Sequence, residues 1–199
     1  KEVPVVTVSD SSGNIRKNMG TVLFKDGAAY YIGVVADPSV GRPESPEIST
    51  LSVKGIDGEY HLYDVRENSY RSGMKATSFQ AAPGDAFLFA MLPYRVREIT
   101  LKTDATVLSP GNSFSCQATV VTQDGRVPGR HVLSLEVLGP DGVPRSWLSD
   151  VLEARDGSAK ITIPVSTGDT PGKWVVRVRD IASGKQSERV FIVMPPTGG

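Results

Sequence analysis

The fold class is decided by residues 169–193, where the chain reads Asp169-Thr-Pro-Gly-Lys-Trp-Val-Val-Arg-Val-Arg-Asp180 before it turns and returns. Trp174, Val176 and Val178 are spaced two residues apart, so they fall on one face of a β-strand. The pair Ser183-Gly184 predicts a turn, and the apolar run that follows predicts the partner strand. This segment is therefore interpreted as an antiparallel strand pair.

Turn signals of the same kind recur along all 199 residues. Asp-Gly pairs favour tight hairpin turns because glycine adopts a positive φ without strain. No amphipathic helical pattern interrupts the predicted strands. The chain is therefore predicted to be all-β, with Asp-Gly turns that begin at Asp26, Asp57, Asp124, Asp141 and Asp156.

The first half predicts a strand at 3–8, a strand at 28–36 that is apolar on both faces, and a surface loop at 37–49 with three prolines. Apolar residues on both faces indicate a strand that is covered on both sides. The run 86–92 is apolar throughout, and we expect it to be the central strand of the first sheet.

A domain boundary is predicted near Pro93, where a new alternating pattern begins. We expect two tandem antiparallel β-sandwich domains at 1–95 and 96–194, with a loose tail at 195–199. Short strands about ten residues apart make the second domain immunoglobulin-like. Cys116 lies on the apolar face of one of these strands and is predicted to be a buried free thiol.

Composition excludes several classes of function. Lys plus Arg and Asp plus Glu each number 22, so no net field attracts nucleic acid. The longest apolar run is far shorter than a bilayer span, and the single cysteine excludes internal disulfides. The chain begins without Met, and we expect a fragment or mature form of a periplasmic or extracellular (cell-surface) bacterial protein.

Catalytic chemistry finds little support in the sequence. Ser113 lies in the nearest approach to a nucleophile elbow, but the motif lacks its final glycine and enters a strand. His61 and His131 fall in different predicted domains, and we interpret both as strand-surface or interface residues. No catalytic residue, metal site or cofactor is therefore predicted.

Aromatic residues offer the best candidate ligand site. Sugar rings stack on exposed Tyr and Trp faces while polar neighbours bind their hydroxyls. Such a carbohydrate platform is predicted, as a candidate only, at Tyr31, Tyr63, Tyr70 and Trp147.

The junction after Pro93 is short and carries a large aromatic residue followed by two arginines. A flexible linker would instead be rich in Gly and Ser. We predict that Tyr94, Arg95 and Arg97 are interdomain residues.

Two segments carry a family resemblance. They are Tyr63-Asp-Val-Arg-Glu-Asn-Ser-Tyr70 and residues 82–96, which read Ala-Pro-Gly-Asp-Ala-Phe-Leu-Phe-Ala-Met-Leu-Pro-Tyr-Arg-Val. Both resemble the C-terminal β region of large bacterial proteins related to glycoside hydrolases, including β-galactosidase-like chains. The second half resembles the immunoglobulin-like or macroglobulin-type modules of such proteins. The resemblance implies an upstream catalytic barrel, so no catalytic residue is carried over.

The leading hypothesis is a non-catalytic accessory region of a larger exported protein linked to polysaccharide processing. Its partners would be neighbouring domains of the same chain. The rival hypothesis is a carbohydrate-binding module with its own ligand site. Exposed aromatics beside polar side chains would favour the module, whereas an apolar patch on one face would favour the accessory region.

Overall fold

The structure, a computed structural model, describes residues 5–39 and 46–196. Within these ranges the chain forms strands and one short 3-10 helix, with no α-helix, which confirms the all-β prediction. No described helix has the length and apolar character needed to cross a membrane. The chain divides into two compact units, unit 1 at Lys1–Arg95 and unit 2 at Val96–Gly199.

Unit 1 is a sandwich of a three-stranded and a five-stranded sheet, with strand orders β1-β4-β7 and β2-β3-β8-β5-β6. All strand pairs in it are antiparallel. Its strands are β1 (Val5–Ser9), β2 (Met19–Asp26), β3 (Ala29–Ala36), β4 (Glu47–Lys54), β5 (His61–Asp64), β6 (Ser69–Ser72), β7 (Ala76–Ala81) and β8 (Ala86–Leu92).

The core of unit 1 lies between its two sheets. Ile32 of β3 and Phe89 and Met91 of β8 are buried there against Leu51 and Phe79 of the smaller sheet. Because side chains alternate along a strand, this arrangement turns the remaining residues of β3 and β8 to the outer face of the larger sheet. β8 lies in the middle of the five strands, which confirms its prediction as the central strand.

Two expectations for unit 1 are wrong. The loop predicted at 37–49 ends earlier, because β4 begins at Glu47 and pairs with β7. β3 is not covered on both faces, since Val35 is 52% exposed on its outer face. Part of that loop prediction (40–45), part of the strand predicted at 3–8 (residues 3 and 4) and part of the predicted tail (197–199) lie outside the described residues.

Unit 2 is also a sandwich of three and five strands, with orders β14-β11-β9 and β10-β16-β15-β12-β13. The β10–β16 pair is parallel, and the others are antiparallel. Its elements are β9 (Val96–Thr103), β10 (Val107–Leu108), β11 (Ser113–Thr122), β12 (His131–Leu138), a 3-10 helix (Ser146–Leu148), β13 (Asp150–Ala154), β14 (Ser158–Pro164), β15 (Gly172–Asp180) and β16 (Gln186–Val193).

The core of unit 2 contains the tryptophan of the deciding segment. Trp174 is buried, its ring centroid lies 6.0 Å from that of Phe191, and Phe191 lies 4.7 Å from Phe114 of the opposite sheet. The Trp174 indole N–H donates to the Thr170 carbonyl at 2.9 Å, so its polar group is satisfied. Cys116 is a buried free cysteine beside this core, as predicted.

Candidate functional site

Three of the four aromatic candidates lie in one row across the outer face of the larger sheet of unit 1. The strand register places Tyr31 opposite Phe24 on one side and opposite Ala90 on the other. Tyr63 pairs with the same Ala90, and Tyr70 pairs with Tyr63. Residues scattered over 47 positions of sequence therefore form a continuous line, which we call the aromatic row.

Exposure differs strongly along the aromatic row. Phe24 is 61% exposed, Tyr31 and Tyr70 are half-buried, and Tyr63 is only 1% exposed. A ring must present a free face to stack on a sugar. Burial therefore removes Tyr63 from the set of candidate platforms, and Tyr31 and Tyr70 offer partial faces.

The other rows of this outer face are aliphatic. Val22, Gly33 and Leu88 form the next row, and Val35 and Ala86 lie in the one beyond. Val22, Val35 and Leu88 are all exposed. Together with Phe24 they form a surface that we call the apolar face. It covers part of the outer surface of β2, β3 and β8, and none of these positions carries a charged side chain.

The apolar face requires a glycine at position 33, because the Val22 side chain occupies the space of a Cβ atom there. A Cβ atom at this position would lie 2.8 Å from Cγ1 of Val22, closer than real Cβ contacts. The missing side chain therefore lets Val22 of the edge strand lean over β3.

The opposite end of the aromatic row is polar. The Arg95 guanidinium lies 4.3 Å from the ring centroid of Tyr70, a cation–π distance. The Tyr70 hydroxyl lies 3.3 Å from Nδ1 of His61. Arg71 donates to the buried carboxylate of Asp64 at 2.7 Å. These side chains stabilise the β5–β6 hairpin.

The three predicted junction residues have the following surroundings. Tyr94 is buried. Arg95 is exposed and stacks on Tyr70 of its own unit, and Arg97 donates to its neighbour Glu98 at 2.8 Å. Their interdomain role stays a prediction.

The fourth aromatic candidate, Trp147, lies in unit 2 on the 3-10 helix that follows β12. It is 71% exposed, whereas Trp174 is 2% exposed. The Arg145 guanidinium carbon lies 6.0 Å from the Trp147 ring centroid and 5.6 Å from that of Trp174. Nη2 of Arg145 also donates to both carboxylate oxygens of Asp141 at 2.9 Å. An exposed indole, a cation and an anion therefore meet in one loop.

The pKa of Asp141 is lowered, first by its hydrogen bonds from Arg145 and then by the Val143 amide. Both favour the ionised carboxylate. Asp141 is therefore a permanent acceptor in this loop at neutral pH.

A buried polar cluster in unit 2 was not expected from the sequence. His131 and Asp180 have fully buried side chains, and Nδ1 of His131 lies 2.8 Å from Oδ1 of Asp180. The other carboxylate oxygen accepts from the amide and the hydroxyl of Ser183. The interpretation of His131 as a surface or interface residue is therefore wrong. The three side chains share the residue types of a hydrolase triad, but the serine bonds to the carboxylate instead of the imidazole.

The described residues contain no group of three or more His, Cys, Asp or Glu side chains arranged to hold a metal ion. A cleft of about 250 Å³ in unit 1 is lined by acidic and basic side chains, including Asp64, Glu67 and Asp85. Asp64 accepts the Glu67 amide at 3.1 Å, and Asp85 accepts the Ala82 amide at 2.8 Å. These acids stabilise turns. Ser113 is exposed at the start of β11.

No protein-family model matches the chain, and no curated protein sequence matches it. Solved structures that this chain resembles include the E. coli alpha-2-macroglobulin, at 12% identity, with a TM-score of 0.44 and coverage of 83% of this chain and 14% of that one.

Two glycosidases are also among the similar structures. The beta-glucosidase from Listeria innocua has 15% identity, a TM-score of 0.33, and coverage of 51% and 16% of the two chains. The Parabacteroides merdae beta-glucuronidase has 12% identity, a TM-score of 0.31, and coverage of 86% and 29%. This chain spans less than a third of the length of each of the three. Likeness at this level leaves its activity open.

Proposed function

We propose that this chain is a non-catalytic accessory region of a larger exported bacterial protein, in which unit 1 packs through its apolar face against a neighbouring domain of the same polypeptide. The resemblance of residues 63–70 and 82–96 to glycoside-hydrolase-related proteins is the reason for linking that protein to polysaccharide processing. The strand order of unit 2, with three strands facing five, supports an immunoglobulin-like assignment.

The apolar face is the observation that carries this proposal. Phe24, Val22, Val35 and Leu88 are exposed side by side on one sheet surface. Scattered apolar residues are normal on a protein surface, but a contiguous patch marks an interaction site. Burial of such a patch contributes roughly 25 cal/mol per Å² of apolar area removed from water.

Unit 2 provides an internal comparison. The outer face of its five-stranded sheet carries Glu136, Arg177 and Glu188 directly opposite one another on β12, β15 and β16. Arg177 donates to Glu188 at 2.5 Å and to Glu136 at 3.2 Å. This is the composition of a sheet that faces water. The corresponding face of unit 1 lacks such a ladder along β2, β3 and β8.

The edge of the same sheet supports the proposal further. β2 is an eight-residue edge strand whose charged residues, Lys25 and Asp26, both lie at its end, whereas residues 21–24 contain no charge or proline. Exposed edges are normally protected by charge, proline or a covering element. The central part of this edge lacks the first two and is suited to cover by a neighbouring domain.

Hydrogen exchange provides the test. The chain is compared alone and within the full product of its gene, and we expect the β2 amides to exchange at least about tenfold more slowly in the longer protein, a difference of about 1.4 kcal/mol. The short edge strand β13 of unit 2 serves as the control and is expected to exchange equally in both.

The proposal is wrong if β2 exchanges at the same rate in both proteins, or if the gene encodes nothing beyond these residues. Turnover of a chromogenic glycoside by the chain alone, abolished by one point substitution, would contradict its non-catalytic part.

A further inference from the structure

The loop between β12 and β13 presents one aromatic ring to solvent. Trp147 is 71% exposed, and the 3-10 helix that carries it contains no buried residue. Its ring therefore contributes little to the core of unit 2. An indole that does not pack inside is free to contact a ligand.

The loop that carries this ring is held by the side chain of Arg145. The guanidinium of Arg145 covers Gly139 so closely that a Cβ atom there would lie 2.3 Å from Nη2. The same guanidinium is bonded to both oxygens of Asp141 and lies near the rings of Trp174 and Trp147. Arg145 is only 17% exposed. It is therefore anchored to the core and holds the loop in place.

The backbone of the loop is ordered by its own hydrogen bonds. The Gly139 amide donates to Val143 at 3.0 Å, and the Gly142 amide donates to Gly139 at 2.9 Å. The carbonyl of Arg145 accepts from the Leu148 amide and from the Ser149 hydroxyl. A ligand would not have to order this loop on binding, which lowers the entropic cost of association.

We infer that Trp147, Asp141 and Arg145 form a binding site for a neutral sugar ring. The apolar C–H face of a pyranose stacks on the indole, while Asp141, whose side chain is 54% exposed, accepts hydrogen bonds from hydroxyl groups and Arg145 holds that carboxylate in place. The charges of Asp141 and Arg145 cancel, so the site has no net attraction for phosphate or carboxylate groups. This inference does not rest on the proposed packing role of unit 1.

The site is open and contains a single aromatic platform. It is therefore expected to bind with dissociation constants on the order of 1 mM, about −4 kcal/mol. Several such modules on one protein or one polysaccharide would raise the overall affinity through multivalency.

The test is a titration followed by NMR, with the two indole N–H signals as reporters. Soluble hexasaccharides of β-1,4-glucose, α-1,4-glucose, β-1,4-xylose and β-1,4-mannose are each added to about 10 mM, well above the expected dissociation constant. At least one is expected to shift the Trp147 signal while the buried Trp174 signal stays in place. Both Trp147 variants lose that reporter, so their binding is followed through the backbone amide signals of the loop. Trp147→Ala should weaken binding at least about tenfold, and Trp147→Phe should retain part of it.

Phe24→Ala, on the apolar face of unit 1, is the matched control and should leave sugar binding unchanged. The Trp174 signal also shows that unit 2, which carries the proposed site, is folded in each variant. The inference is overturned if none of the four sugars shifts Trp147, or if a shift elsewhere persists in Trp147→Ala.

Discussion

Replacement of His131 by alanine tests the buried cluster of unit 2. The His131 and Asp180 side chains are 0% exposed, and their hydrogen bond is 2.8 Å long. His131→Ala leaves Oδ1 of Asp180 buried without this donor and also removes the volume of the imidazole. Breaking a buried pair from one side costs about 3–5 kcal/mol.

A smaller effect is expected from Ser183→Ala. This change removes one of the two Ser183 donors to Oδ2 of Asp180 and leaves the amide bond of 2.9 Å. The loss of one hydrogen bond is worth about 1 kcal/mol. His61→Ala is the matched control, because the second histidine is half-buried in unit 1 and its hydrogen bond to Tyr70 is 3.3 Å long.

Urea denaturation followed by tryptophan fluorescence measures these differences. Both tryptophans of the chain lie in unit 2, so the signal reports the unfolding of that unit alone. With a denaturant slope of about 1.5 kcal/mol per M, a loss of about 3 kcal/mol lowers the urea midpoint by about 2 M. A midpoint change below about 0.5 M for His131→Ala would refute the reasoning. An equal loss for His61→Ala, followed by circular dichroism because that signal also detects the unfolding of unit 1, would refute it too.

Three further predictions concern stability and reactivity. Burial raises the pKa of the Cys116 thiol from 9.0 to about 11, so the folded protein should react slowly with a thiol reagent at pH 8. The stability of the protein should fall between pH 9 and 11, where only the unfolded thiol ionises, and Cys116→Ala should remove that part of the fall. Phe89→Ala should destabilise unit 1 by about 3–5 kcal/mol in circular dichroism melts, whereas Phe24→Ala on the opposite face should change stability by less than about 0.5 kcal/mol; equal effects would contradict the assigned faces. Gly157→Ala should lower the fluorescence midpoint more than Gly125→Ala. The backbone φ angles are similar, 70° at Gly157 and 75° at Gly125, but only a Cβ at Gly157 would meet a proline ring, at 2.1 Å. The reverse order would contradict this account.

The strands were predictable because their patterns are local. Alternation identified the segment that contains Trp174, and the Asp26-Gly27 pair marked a hairpin that the structure forms, with Asp26 opposite Ala29. The exposure of the outer face of β3 was not predicted. Val35 on that face is apolar, and an apolar residue in a strand is normally expected to be covered. Composition reports what a strand could bury, but not which face has a partner.

The side-chain clusters were not predictable because they depend on register between distant strands. His131 lies 49 residues before Asp180 and reaches it only because β12 pairs with β15, with Leu133 opposite Asp180. The position of the Arg145 side chain likewise depends on one loop conformation, in which it packs on Gly139 and bonds to Asp141. The sequence identified Trp147 as a candidate platform, but it did not show that the Arg145 guanidinium lies beside its ring.

The position of β8 in unit 1 has a consequence for the order of folding. β8 is the last strand of its unit to be synthesised, yet it lies at the centre of the sheet and pairs with both β3 and β5. The hairpins β2–β3 and β5–β6 can form early from local contacts, but they cannot join until β8 has left the ribosome. Until then β3 lacks its neighbour on one side and the core residues Phe89 and Met91 are missing, so the nascent chain is vulnerable to aggregation during the synthesis of residues 37–92.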